Sequence, residues 1–298
     1  MTAALEVLAT GPLVLVEDEG RPGHAAVGVG RSGAADRGAH RLGARLVGHD
    51  PALAGLEVLL GGLVVRAHGR LTVALTGAPA PATVDGRPVA HASLLDLPDG
   101  AVLRLGTPDR GLRTCLAVRG GIAVDPVLGS RSTDTLSGLG PPPVRAGDVL
   151  PVGAAGSRLP HLDHAPRRED ASTPAVLDAT PGPRAPWVGG EPALGGLIGP
   201  VWTVGGASDR IGLRLNGSRV ERDAAHRERE LPSEGLVRGA VQVPPGGEPV
   251  VFLADHPVTG GYPVVAVLTP DAADRAAQLR PGDTVRLRLV TRGRPTRT

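Results

Sequence analysis

The sequence contains no lysine, and all 32 of its basic residues are arginine. This absence excludes a Schiff-base lysine, a P-loop lysine and a lysine that could carry biotin. Any cationic side chain that binds an anion must therefore be arginine, assisted by backbone N–H groups. The single cysteine, Cys115, excludes a disulfide framework and a CxxC pair, and its apolar neighbours predict a small buried strand residue.

Aromatic residues are almost as scarce, at 1% of 298 residues, so we expect a core of Val, Leu and Ala. The formal charge is only +2, and no basic stripe with interleaved aromatic residues occurs, which argues against nucleic-acid binding. No segment reaches about 18 consecutive apolar residues, and the N-terminus lacks a charged region followed by an apolar run. These features predict a soluble, cytoplasmic protein with no membrane segment.

The pattern of apolar runs predicts a mainly β fold with a few short helices. With 44 Gly and 30 Pro, turns are frequent and long helices are scarce. The clearest helix is Ala35–Val47, and Pro51–Leu56 and Asp271–Gln278 are weaker candidates. The predicted strands include Leu13–Val16, Leu63–Arg66, Leu71–Leu75, Val102–Leu105, Cys115–Val118, Val149–Val152, Trp202–Val204, Val241–Val243, Val250–Leu253, Val264–Val267 and Val285–Leu289.

A polar segment rich in proline and arginine, residues 154–173, interrupts this pattern. It predicts a linker or surface loop between an N-terminal β lobe, residues 1–153, and a C-terminal β lobe, residues 174–298.

Two common motifs bear on function. Gly28–Gly33 matches G-x-G-x-x-G and precedes the clearest helix, but the preceding strand ends near Glu17 and the region that follows is β-rich, which disfavours a dinucleotide site. An anion at the start of that helix, or an ordinary N-cap by Ser32 with Asp36 in the first turn, stay open. His161 and His164 form the closest histidine pair, but in the loop-like segment, so we expect no metal site.

Leu253–Val267 carries more polar chemistry than a turn between two buried strands requires. Asp255, Thr259 and Tyr262, the only tyrosine, flank Gly260 and Gly261, whose backbone can approach a ligand closely. A hairpin end in which Tyr262 covers the core is the structural alternative. For the other polar clusters, pairing between arginine and aspartate that closes a lobe is the corresponding alternative.

Seven motifs in order resemble the biotin-dependent carboxyltransferase family, whose members include the C-type component of 5-oxoprolinase, the second component of allophanate hydrolase and part of urea amidolyase. The resemblance spans nearly the whole chain. The motifs are Glu17–Asp36, Ala44–Gly62, Ala74–Val89, Leu116–Asp134, Ser208–Leu215, Ser233–Asp255 and Thr259–Pro263.

The resemblance implies two cyclophilin-like β-barrel lobes and an enzyme that works with partner proteins. One implied function is an ATP-dependent 5-oxoprolinase, in which a B-type and an A-type component complete the opening of 5-oxoproline to glutamate. A second is a biotin-dependent carboxyltransferase that acts on urea or a similar amide, with biotin on a separate carrier. A third is a non-catalytic regulatory protein that binds a kinase inhibitor.

Both reactions activate an amide or ureido carbonyl, so arginine and carboxylate groups are expected near its oxygen and N–H. On this basis we expect a shared cleft. The catalytic candidates are Arg131, Asp209, Arg210, Glu234 and Asp255; the substrate-binding candidates are Gln242, Thr259, Gly260, Gly261 and Tyr262, with Asp36 and Glu57 as second choices.

The chain departs from the family pattern at His256-Pro257-Val258, where relatives have a basic residue followed by glutamine and threonine. Proline and valine remove hydrogen-bond donors and stiffen the turn. We therefore expect any difference in substrate choice to arise at these three residues.

Overall fold

The structure, a computed structural model, describes residues 3–157, 160, 162–166, 172–227 and 229–290. The chain divides into two units, residues 1–168 and 169–298. This boundary falls within residues 154–173, and part of that segment packs on the first unit. The Ala165 N–H donates to the Ala92 carbonyl at 2.8 Å, and Ala165 is buried. The first unit therefore extends beyond the limit at residue 153 that was expected from the sequence.

The first unit contains eleven strands among its described residues, arranged as two antiparallel sheets. One has the order β11-β1-β4-β9-β6-β7 and the other β2-β3-β10-β5-β8. Buried Leu5 and Val65 of one sheet and Leu75 and Leu116 of the other belong to a single core. The strands are β1 (Ala4–Ala9), β2 (Leu13–Glu17), β3 (Gly55–Leu59), β4 (Val64–His68), β5 (Leu71–Gly77), β6 (Ala82–Val84), β7 (Arg87–Val89), β8 (Leu94–Leu97), β9 (Val102–Leu105), β10 (Arg113–Val118) and β11 (Val149–Pro151).

One helix, α1 (Arg37–Val47), packs on the second of these sheets. Asp36 is its N-cap, because the carboxylate accepts from the Ala39 N–H at 2.8 Å. The expected N-cap at Ser32 is therefore wrong, as is the placement of Asp36 in the first turn. A Cβ on Gly43 would lie 2.9 Å from the Ala117 Cβ, so glycine allows α1 to approach β10 closely.

The sequence prediction of a helix at Pro51–Leu56 is wrong. Residues from Gly55 onward form β3, which is central in its sheet and pairs with both β2 and β10. The G-x-G-x-x-G motif lies between a short 3₁₀ helix, Ala25–Val27, and α1, and the sheets around it are antiparallel. That topology disagrees with a dinucleotide-binding βαβ unit.

The second unit is built on a closed seven-stranded barrel with the order β12-β19-β16-β17-β14-β13-β20. Only the β12–β20 contact is parallel among the described strand pairs of this barrel. Trp202 is fully buried within its core. The strands are β12 (Ala175–Pro181), β13 (Trp202–Val204), β14 (Gly212–Asn216), β15 (Glu234–Gly235), β16 (Ala240–Gln242), β17 (Val250–Phe252), β18 (Thr259–Gly260), β19 (Val264–Leu268) and β20 (Thr284–Leu289).

Helix α2 (Pro270–Ala276) follows the barrel strand β19. Its N-cap is Thr269, whose hydroxyl accepts from the Ala272 N–H at 3.3 Å, and Pro270 is the first helical residue. The mainly β prediction with a few short helices is thus confirmed. Among the described residues, no helix combines the length and the apolar character that crossing a membrane requires.

Candidate functional site

The twelve candidate residues are distributed over both units. Asp36, Glu57 and Arg131 belong to the first unit and the other nine to the second. Within the second unit, the structure separates the nine into a two-stranded ribbon, a buried ion pair and a turn. The ribbon contains six of them, so we treat it as the main candidate site.

The ribbon consists of β15 and β18, which pair in antiparallel register outside the barrel. Glu234 lies opposite Gly260, and Gly235 lies opposite Thr259. The Leu236 N–H donates to the Val258 carbonyl at 2.8 Å, which extends the pairing by one step. The segment that stood out in the sequence therefore folds against a second segment about twenty-five residues earlier in the chain.

Gln242 supports the ribbon from below. It lies on barrel strand β16 and is 3% exposed. Its Nε2 donates to the Tyr262 carbonyl at 2.8 Å, and an added Cβ on Gly260 would lie 2.8 Å from the same Nε2. Only glycine at 260 leaves room for the amide in this position. Within the described part of the chain, the Gln242 Oε1 accepts no hydrogen bond, so it is free to accept one from a ligand.

The outer surface of the ribbon presents two hydroxyl groups. Tyr262 is 46% exposed and Thr259 is also exposed, and neither hydroxyl is hydrogen-bonded to another described residue. Tyr262 therefore does not close the core, which was the structural alternative for this residue. Beside the amide of Gln242, these hydroxyls provide donors and acceptors suited to an amide substrate.

Arg184 is a partner of the ribbon that the sequence analysis missed. Its guanidinium binds the Glu234 carboxylate through two contacts, the Nη2 to Oε1 contact and an Nε to Oε2 contact at 3.1 Å. The Arg184 N–H also donates to the Val264 carbonyl at 2.9 Å, which fixes the backbone beside β19. The hydrogen bond from Arg184 lowers the pKa of Glu234, so this carboxylate is held ionised and paired.

Arg210 and Asp255 form a buried pair away from the ribbon hydroxyls. The Arg210 Nε lies 2.9 Å from Asp255 Oδ2 and Nη2 lies 3.2 Å from Oδ1, and the residues are 3% and 1% exposed. The Asp255 N–H also donates to the Arg210 carbonyl at 3.0 Å. The pair joins the loop before β14 to the loop after β17. This geometry gives both residues a structural role, and a catalytic role stays a prediction.

Asp209 stabilises a turn. Its Oδ1 accepts from the N–H groups of Ile211 and Gly212 at 2.8 and 3.0 Å, although the residue is exposed. The departure at His256-Pro257-Val258 leaves the ribbon intact because its backbone carbonyls are still used. His256 Nδ1 lies 2.7 Å from the Pro257 carbonyl, and the Val258 carbonyl accepts from the Leu236 N–H.

In the first unit, Asp36 and Glu57 position the start of α1. Glu57 Oε2 accepts from the Ala35 N–H at 2.8 Å, and Oε1 lies 3.3 Å from Arg113 Nε. Glu57 borders a cavity of about 10 Å³, also lined by Glu17, His40 and Cys115. This volume suits about one water molecule and is too small for an organic substrate.

Cys115 is buried as expected, and burial raises the pKa of its thiol well above the usual value. Cys115 is therefore a thiol rather than a reactive thiolate. In the described ranges, no three His, Cys, Asp or Glu side chains are grouped so that they could hold a metal ion. His161, one member of the histidine pair in the sequence, lies outside the described residues.

Arg131 is the remaining candidate, and its loop is organised by a residue that the sequence analysis did not single out. Asp18 is 4% exposed, and its Oδ2 accepts from the Arg131 N–H at 2.7 Å. The hydroxyls of Ser130 and Ser132 donate to Asp18 Oδ1 at 2.7 and 2.6 Å. Because these residues are more than 110 positions apart, only the folded topology reveals the contact.

The model of the family described as carboxyltransferase domain, subdomain A and B, matches residues 27–289. The chain belongs to this carboxyltransferase family. The match includes both units and the ribbon, and it confirms the resemblance identified from the motifs.

Relatives and solved structures of known name agree with this assignment. The chain is similar to the C-type component of 5-oxoprolinase from Escherichia coli, at 34% identity over 94% of this chain and 89% of that protein. It is similar in structure to the protein TTHA0988, with a TM-score of 0.85 and 33% identity over 96% of this chain. It is also similar to Kluyveromyces lactis urea carboxylase, with a TM-score of 0.87 and 28% identity over 97% of this chain. This carboxyltransferase-family chain spans 55% and 28% of those two structures.

Proposed function

We propose that this chain is the C-type component of an ATP-dependent 5-oxoprolinase, which opens 5-oxoproline to glutamate together with a B-type and an A-type partner protein. The observation that carries the proposal is the 34% identity to a protein named as the C-type component of 5-oxoprolinase, which extends over 94% of one chain and 89% of the other. A match of this extent is expected of a protein with the same position in a complex, rather than of one module in a longer enzyme.

The ribbon has the groups that a lactam requires. The free Gln242 Oε1 accepts the lactam N–H, and the exposed Tyr262 and Thr259 hydroxyls donate to the lactam oxygen. Donors placed where negative charge develops on an amide oxygen are among the largest contributions to catalysis of this type. ATP is used by the complex in this proposal, and the ribbon residues bind and orient the lactam.

The paired Glu234 has a supporting role in this proposal. Its pKa is lowered by Arg184, so it stays ionised near neutral pH and cannot donate a proton to the substrate. It fixes β15 beside β18 and keeps the Gln242 amide and the hydroxyls in place. A basic or acidic catalyst for proton transfer would then come from a partner protein.

A direct test is to co-purify the chain with the A-type and B-type proteins encoded beside it and to measure glutamate formed from 5-oxoproline. The proposal predicts glutamate formation that needs ATP and stops when this chain is omitted. Tyr262→Phe should lower the rate by about 10-fold, the effect of losing one useful hydrogen bond in the transition state. Absence of glutamate from the complete, folded complex would refute the proposal.

The structural similarity to a urea carboxylase supports a second candidate, a biotin-dependent carboxyltransferase that acts on urea or a similar amide. Since the chain contains no lysine, biotin would have to be attached to another protein. Streptavidin blotting of the natural complex separates the two candidates. A biotinylated partner, with bicarbonate- and urea-dependent ATP hydrolysis, would favour the second candidate, and its absence would exclude it.

A further inference from the structure

Arg131 differs from the other candidate residues because its side chain is oriented but not neutralised. Its Nε donates to the Val124 carbonyl at 2.6 Å, and its backbone N–H donates to Asp18 Oδ2 at 2.7 Å. The residue is half-buried. Its two terminal nitrogens make no hydrogen bond or ion pair with any residue that the structure describes. The fork of the guanidinium is thus held at one end and available at the other.

Asp18 cannot neutralise this charge through a side-chain contact, because its oxygens are already occupied. It accepts from the N–H groups of Gly20 and Arg131 and from the hydroxyls of Ser130 and Ser132, at 2.6 to 2.7 Å. The Asp18 N–H donates in turn to the Ser132 hydroxyl at 3.0 Å. Asp18 therefore fixes the backbone of the Arg131 loop, while the guanidinium fork is left without a carboxylate partner.

A second arginine holds the same loop from inside. Arg21 is 1% exposed, its Nη2 donates to the Ser132 carbonyl, and its Nε lies 3.5 Å from the Val127 carbonyl. Its buried Nη1 has no hydrogen-bond partner among the described residues and lies 4.0 Å from Asp134 Oδ2. Two cationic side chains therefore act on one short loop, and one of them retains an unused buried donor.

The loop backbone is also constrained. The N–H and carbonyl groups of Val127 and Ser130 pair across a tight turn, in which Leu128 has φ of 51° and Gly129 has φ of 80°. A positive φ is unfavourable for leucine and is retained only where surrounding contacts hold it. The cost of ordering Arg131 has thus been met by the folded loop, which favours binding of an anion.

We propose that the terminal nitrogens of Arg131 bind the carboxylate of a small organic substrate. Two parallel N–H groups of a guanidinium match the two oxygens of a carboxylate, and such charge-assisted pairs are stronger than neutral hydrogen bonds. If the proposed function is correct, this carboxylate is that of 5-oxoproline. The inference rests on the proposed function for the identity of the substrate, but the anion-binding property can be measured without turnover.

The test uses the full-length chain and isothermal titration with 5-oxoproline, with 2-pyrrolidinone, which is the same lactam without the carboxylate, and with inorganic phosphate. We expect 5-oxoproline to bind at least about 10-fold more tightly than 2-pyrrolidinone, since one charged hydrogen-bonding pair is worth about 1.5–3 kcal/mol. Arg131→Gln should reduce that affinity by about 10-fold or more, and Arg131→Lys should restore only part of it. Arg110→Gln, at an exposed position, is the matched control and should bind as the unchanged chain does.

Several results would overturn the inference. These are no binding of 5-oxoproline, equal binding of both lactams, phosphate binding that displaces 5-oxoproline with equal or higher affinity, or unchanged affinity in a folded Arg131→Gln protein. Thermal unfolding of each variant shows whether it is folded, and Arg131→Lys provides a second variant if Arg131→Gln is not. Failure of the proposed function is a different result, namely absence of glutamate formation by the complex although the chain binds carboxylate through Arg131.

Discussion

Replacing Gly260 by alanine should damage the ribbon through a single contact. The added Cβ would lie 2.8 Å from Gln242 Nε2 and 2.9 Å from Leu236 Cδ1, both inside the distances that real Cβ atoms adopt. Both contacted atoms end flexible side chains, so the chain can adjust, but Gln242 must then move from its hydrogen bond to the Tyr262 carbonyl. Overpacking of a well-packed site costs about 1–3 kcal/mol, and a lost hydrogen bond about 1 kcal/mol.

We therefore expect Gly260→Ala to lower the free energy of unfolding of the second unit by about 1–2 kcal/mol, at the lower end because the side chains can shift. Both tryptophans, Trp187 and Trp202, belong to this unit, so intrinsic fluorescence during urea unfolding reports on it selectively. With a urea dependence of about 2 kcal/mol per molar, the midpoint should fall by about 0.5–1 M.

Gly261→Ala is the matched control, since the nearest atom to its added Cβ is the Leu231 carbonyl oxygen at 3.5 Å, an ordinary contact. Neither glycine has a positive φ, so alanine is not strained at either position. The control should change the unfolding free energy by less than about 0.5 kcal/mol. Equal midpoints for the two variants would refute the proposed packing of Gln242 beneath Gly260.

The other predictions concern buried and paired charges. Arg210→Met should destabilise the second unit by about 3–5 kcal/mol by leaving Asp255 buried without its cation, and adding Asp255→Leu should recover most of the loss in urea unfolding; an equally unstable double variant would contradict this. Burial lowers the pKa of His49 to about 4, so the folded first unit excludes a proton and should lose about 3 kcal/mol as pH falls from about 6.5 to 4. His49→Leu should remove that loss in far-UV circular dichroism, and an unchanged pH dependence would disprove it. Since Arg184 lowers the pKa of Glu234, the pair stabilises above pH about 4.5 and less as pH falls through the lowered pKa; Glu234→Gln or high salt should reduce this dependence in fluorescence unfolding, and no reduction would count against the pair.

Much of the fold followed from local sequence pattern. β-branched runs bounded by Gly, Pro and Asp gave strands such as β5 and β10 within a few residues of their observed limits, and the Thr269-Pro270 signal gave the start of α2. The error at Pro51–Leu56 arose because apolar spacing there fits a helix locally. Pairing of β3 on both edges, with Glu57 opposite Leu15 and Cys115, decides the structure instead.

The candidate site was predicted only in part. The concentration of Thr259, Gly260 and Tyr262 in one segment was visible because these residues are adjacent in sequence. Arg184 was not, because its partner Glu234 is 50 residues away and a Pro-rich turn gives no sign of pairing. Asp18 was missed for the same reason, since its partners lie more than 110 residues away and contact it only through the fold of the first unit.

The most direct test of the proposed lactam site is the kcat/KM for 5-oxoproline of the complete complex when this chain carries Gln242→Met. Methionine preserves the length of the buried side chain but removes both the amide donor to Tyr262 and the acceptor proposed for the lactam N–H. The account predicts a fall of at least about 10-fold in kcat/KM with the complex still assembled, as expected for loss of about 1.4 kcal/mol or more of transition-state binding. An assembled complex with unchanged kcat/KM would contradict the assignment of the ribbon as the lactam-binding site.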